Sequence, residues 1–126
     1  MKALMIMALA LVTSFTVAAE VEAKAAHIAS PDIYQLLMEN DEVMVLKMVL
    51  KPGQSDGWHK HNAETVYFEQ GGKAKIKTSD TDFVELEIPQ GYVMWHDQWE
   101  HQVTNTGDST ITAIIVERKA GATKEH

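Results

Sequence analysis

Two histidines one residue apart, His59 and His61, are followed by Glu64, and these are the side chains of the sequence best suited to chemistry. Imidazole nitrogens and a carboxylate are ligands for divalent Mn, Fe, Ni, Cu or Zn. Residues i and i+2 of a β-strand point to one face, so a strand here would send both rings into one interior. His101 can add a third imidazole from a later strand. The set His59, His61, Glu64 and His101 is thus a candidate site for a divalent transition metal. Four protein ligands would leave one or two positions of an octahedral ion for water or substrate. The bland alternative makes the rings metal-free residues at a barrel mouth, with Glu64 in a salt bridge or holding an imidazole. Ligation by neutral imidazole predicts that metal affinity falls below about pH 6.5.

The elements that must position these residues are strands. Short apolar alternations broken by turn residues run from Pro31 onward. They predict strands over 33–38, 43–50, 58–61, 65–68, 73–77, 83–88, 92–96, 101–104 and 110–117, with no helix after Pro31. This pattern fits an all-β sandwich or barrel. Met44, Leu46, Met48 and Leu50 fall on one face of their strand, and Ala74 and Ile76 point inward on theirs. Tyr67, Phe68 and the Met44/Met48 stripe read as core. Trp58, Trp95 and Trp99 flank the histidines and are candidates for a pocket wall, or equally for core or dimer packing. Tyr92 is a possible general acid that nothing in the sequence selects. Asn105 reads as a turn or backbone-bonding residue. His96 reads as a rim residue paired with Asp97, the functional alternative being an acid, base or substitute ligand.

Around these residues the chain resembles a small single-domain cupin, the double-stranded β-helix or jelly-roll barrel. The family's first motif is Gly, five residues, His, one, His, three or four, Glu, six, Gly. Here Gly53, His59, His61, Glu64 and Gly71 follow it, with the loop before Glu64 one residue short. The second motif is Gly, five, Pro, one, Gly, two, His, three, Asn. Gly91, His101 and Asn105 keep it, Asp97 and Trp99 replace the usual Pro and Gly, and the loop is again one residue short. The 19 residues from Gly72 to Gln90 match the short spacer of microbial cupins. The short loops resemble a subgroup labelled quercetin-dioxygenase-like or β-alanine-degradation-like. The resemblance covers roughly 46–117 and implies a metal held by His59, His61, His101 and Glu64. It also implies oxygenase, isomerase or lyase chemistry on a small organic molecule, with Glu64 as a catalytic base. The alternative is a non-catalytic module that binds a metal or small ligand, with an empty structural barrel a weaker third.

Length and composition set the remaining bounds. The chain has 126 residues and no cysteine, enough for a single core without disulfides or thiolate metal ligands. A formal net charge of −7 argues against nucleic acid and anionic lipid as partners. Residues 1–19 read as a secretory signal, with Lys2 as the positive start, an apolar run over 3–12 and small residues Val17, Ala18 and Ala19 before a cut at Glu20. In a bacterium that predicts a secreted, periplasmic protein with no stable membrane association after cleavage. Residues 20–30 read as an Ala- and charge-rich linker with some helix, in which His27 meets solvent. Residues 31–119 read as the barrel and 120–126 as a polar tail. A homodimer through an open sheet edge is the expected assembly, beside a small-molecule ligand or substrate.

Overall fold

A computed structural model describes residues 10–14 and 22–121. The proposed cleavage site and most of the proposed signal lie outside the described residues, as does most of the polar tail. Helix α1 is a single turn, Ala26–Ala29. Nine strands follow: β1 Tyr34–Glu39, β2 Val43–Leu50, β3 His59–His61, β4 Glu64–Gln70, β5 Gly72–Lys77, β6 Phe83–Ile88, β7 Val93–His96, β8 Trp99–Asn105 and β9 Ile111–Arg118. Among the described residues no helix follows Pro31, as the alternation predicts. No described helix is long and apolar enough to cross a membrane.

The strands form two antiparallel sheets, in the orders β1-β2-β9-β4-β7 and β3-β8-β5-β6. Their inner faces share one core. Leu46 and Leu50 of β2, Ile111 and Ala113 of β9 and Phe68 of β4 meet Ala74, Ile76 and Val103 from the other sheet. Period-two alternation produces this directly, since every second residue of β2 is buried, from Met44 to Leu50. Tyr67 is a correction. Phe68 takes the inward position of β4, so its neighbour must face out, and Tyr67 is 46% exposed. Gly53 and Gly91, which open the two motifs, sit in turns with φ of +77° and +78°, a region costly for any residue with a Cβ.

Two connections position the site. The Asn62–Ala63 link carries the chain from β3 in one sheet to β4 in the other. His61 and Glu64 therefore approach the same interior from opposite walls. Residues 24–30 lie against β3: Ala25 bridges Lys60, the Lys60 N–H donates to the Lys24 carbonyl, and Ala26 is fully buried. Ser30 Oγ accepts the Gly57 N–H at 2.7 Å, just before β3. His27 is half-buried here rather than free in solvent.

Candidate metal centre

Strand register brings the three histidines together. His59 and His61 share the inward face of β3, and His101 of β8 is the direct cross-strand partner of His59. The ring centroids are 4.7 Å apart for His59 and His61, 4.6 Å for His59 and His101, and 5.2 Å for His61 and His101. All three are buried, His59 completely.

Hydrogen bonds fix which nitrogens are free. His59 Nδ1 is 2.7 Å from the Gly57 carbonyl, which can only accept, so the proton sits on Nδ1. His61 Nδ1 lies 2.9 Å from Glu117 Oε2 and donates to that carboxylate. Both Nε2 atoms then carry bare lone pairs, and they face each other across 3.0 Å. His101 stands beside them with neither ring nitrogen hydrogen-bonded. Lone pairs converging in a buried space repel one another unless a cation sits among them. The three rings can hold a metal ion, and their donor set suits a divalent transition metal.

Burial keeps His59 and His101 neutral and ready to ligate. Desolvation pushes His59 down to about 4, an effect its bond to Gly57 only partly offsets. Desolvation, reinforced by the neighbouring histidines, pushes His101 down to about 2.

Glu64 belongs to a second cluster that shares His61. Glu64, Glu117 and His61 bring their ligand atoms together on the Nδ1 side of the ring, away from the Nε2 that meets His59. Glu64 Oε2 is 3.0 Å from His61 Nδ1, but the N–H points to Glu117, leaving Oε2 without a donor. Glu64 Oε1 accepts the Trp99 Nε1–H at 3.1 Å. Glu64 and Glu117 are direct cross-strand partners, both buried, and like charges so placed repel. Desolvation first, and Glu117 besides, push Glu64 above the usual carboxylate range.

Three supporting residues carry no motif. Glu117 orients His61 and also accepts the Asn62 N–H at 2.8 Å. Its signal in the sequence is parity, since Ile111, Ala113, Ile115 and Glu117 are the inward positions of β9. Asp56 accepts the Tyr34 O–H at 2.6 Å and the Val103 N–H at 2.7 Å, and lies 3.6 Å from His59 Nδ1. Desolvation raises Asp56 to about 6 against the pull of these bonds. The Tyr34 ring packs in a T-shaped arrangement with His59, centroids 5.4 Å apart, and with His61, 6.3 Å apart.

Of the three tryptophans only Trp99 lines the cavity beside the site; Trp58 and Trp95 are exposed. Trp99 packs edge-on against His101 and stacks on His96 at 3.5 Å. His96 is a half-buried rim residue opposite Glu64, and its Nδ1 lies 2.6 Å from the Asp97 backbone carbonyl rather than the carboxylate. Tyr92 lines the outer part of the cavity and Asn105 bonds the Leu50 and Ser109 carbonyls, as its reading as a backbone-bonding residue requires.

Comparison with solved structures agrees with this architecture. The chain matches a cupin domain from Bordetella pertussis with a TM-score of 0.62 at 22% identity, covering 79% of this chain and 99% of that one. It matches a protein with a double-stranded β-helix domain from Klebsiella pneumoniae with a TM-score of 0.57 at 19% identity, covering 72% and 79%. A cupin 2 conserved barrel domain protein from Salinispora arenicola gives 0.54 at 21% identity, covering 87% and 92%. The fold is the cupin double-stranded β-helix that the two motifs imply. No protein-family model and no curated protein matches the chain.

Proposed function

We propose that the protein holds a divalent Mn, Fe, Ni, Cu or Zn ion on His59, His61 and His101 and works as a metal-dependent enzyme on a small organic molecule. The carrying observation is the pair of lone-pair nitrogens, His59 Nε2 and His61 Nε2, facing each other at 3.0 Å beside an unpartnered His101. A bound ion would supply a Lewis-acid or oxygen-activating centre within a partly apolar, buried site.

The chain's own residues have separate tasks in this reading. Gly57 and Glu117 hold two rings with their Nε2 atoms turned inward. Glu64 lines the cavity with an oxygen that no donor occupies. Its raised proton affinity suits it to take or return a proton at Oε2. Trp99 fixes that carboxyl through Oε1. The one-residue-short loops support placing the protein with the quercetin-dioxygenase-like cupins. The charge pattern of residues 1–19 supports export, which N-terminal sequencing of the protein made in its own cell tests by a start at Glu20.

The competing reading is a non-catalytic metal or ligand carrier. Azide added to Co(II)-loaded protein separates the two. A change in the Co(II) absorption shows a coordination position open to exchange, as an enzyme needs. An unchanged spectrum at saturating azide marks a closed site and favours the carrier.

A further inference from the structure

The space beside the histidines is selective. A cavity of ≈ 70 Å³ opens from His61, Glu64 and His101 into the barrel. This is room for several waters or a small organic molecule. Its walls are aliphatic and aromatic, with Val66, Phe68, Ile76, Ile88 and Met94 among them, and none of its eighteen lining residues is Lys or Arg. Two of its polar groups are already engaged, the Tyr34 hydroxyl by Asp56 and the Trp99 N–H by Glu64. Apart from the Tyr92 hydroxyl at the outer part of the cavity, the side-chain polar atoms left for a ligand are gathered at the end formed by His61, Glu64 and His101. Leu86 and Tyr92 line the cavity yet are 43% and 48% exposed, so the apolar wall continues to the surface between β6 and β7.

We propose that the cavity takes an uncharged, mainly apolar small molecule with one oxygen-donor end, seated with that end at His61, Glu64 and His101 and its body along the walls of β4, β5 and β6. The assignment rests on the metal reading above for the donor end and on the lining for the body. A carboxylate or phosphate on the body would be buried with no cation to meet it, which disfavours its binding. The one carboxyl in the lining, Glu64, and the chain's formal charge of −7 add repulsion to an anionic body lying away from the metal.

Co(II)-loaded protein titrated with hydroxamates tests this through one head group on different bodies. Acetohydroxamate, butyrohydroxamate and hexanohydroxamate differ only in methylenes, and succinic monohydroxamate ends the chain in a carboxylate. Following the Co(II) absorption, affinity is expected to rise about three- to fourfold per added methylene. The carboxylate-ended probe is expected to bind at least about tenfold more weakly than butyrohydroxamate. Co(II) uptake with a flat series, or with the carboxylate-ended probe binding as well, overturns the substrate class and leaves the metal reading standing. No Co(II) uptake overturns the metal reading and this assignment with it.

Discussion

The two edge strands of the four-stranded sheet, β3 and β6, are built in opposite ways. Strand β3 is three residues long, buries His59 and His61, and has its free edge covered by residues 24–25. Strand β6 is six residues long, has no strand beyond it among the described residues, and leaves Phe83, Val84 and Leu86 between 43% and 53% exposed. A covered edge with satisfied backbone groups holds rings in one orientation, as a metal site requires. An uncovered edge is where a barrel can admit a ligand, and the cavity wall reaches the surface there. The site and its entrance therefore lie at opposite edges of one sheet. Substitutions near β3 should be costly and substitutions on β6 cheap.

Asp56→Ala is the most severe test on the β3 side. It leaves the buried Tyr34 O–H and the Val103 N–H without their acceptor. Unsatisfied buried donors cost about 1–3 kcal/mol each, so urea unfolding should show a loss of about 2–4 kcal/mol. A loss below about 1 kcal/mol would break the claim that β3 is the rigid edge. Glu117→Ala comes next. Removing the acceptor of His61 Nδ1–H should weaken metal binding about 10- to 100-fold while the fold persists, read by competition with a metal-sensitive dye. Unchanged affinity would show that His61 needs no such support.

Protonation gives an effect that builds with each pH unit and has a definite sign. His59 and His101, pushed down by burial to about 4 and about 2, stay neutral in the metal-free fold while the unfolded chain charges them near 6.5. Their contribution to stability is present above pH 6.5 and is lost as pH falls toward about 4 for His59 and about 2 for His101, at up to about 1.4 kcal/mol per pH unit for each ring. Asp56, raised to about 6, acts in the opposite sense, its contribution present below its ordinary 3.8 and lost as pH rises through about 6. NMR of the metal-free protein should show no titration of the His59 or His101 rings between pH 8 and pH 5. A midpoint near 6.5 for either ring would mean that water reaches the site. Burial thus shifts the sequence-based expectation that proton competition begins at about pH 6.5 to lower pH for these two ligands. The smallest effect belongs to β6, where Val84→Ala should change stability by no more than about 0.5 kcal/mol in the same urea assay.

Much of this arrangement is legible in the sequence because it is local. The alternation of β2 shows which of its residues are core, and His-x-His on a strand shows that two imidazoles share a face. Glu64 marks where local reading stops. Its nearness to His61 is plain from spacing, but which ring nitrogen it meets depends on the crossing between sheets at Asn62–Ala63. The Tyr34–Asp56 bond joins residues 22 apart and leaves no local trace. Glu117 obeys the inward parity of β9, yet a glutamate at the end of an apolar strand also reads as its solvent-facing terminus. Tyr67 and Phe68 are adjacent aromatics of which only one can face in, and the register that selects Phe68 comes from pairing with β9.

The most direct test of the account is the metal content of the protein purified without chelator, beside His59→Ala/His101→Ala and Glu64→Gln variants. Close to one divalent ion per chain is expected in the parent, none in the double histidine variant, and retained metal in Glu64→Gln, because the Glu64 carboxyl lies on the Nδ1 side of His61. Negligible metal in the parent after soaking with Mn, Fe, Ni, Cu and Zn would contradict the account, as would equal metal in the parent and the double histidine variant.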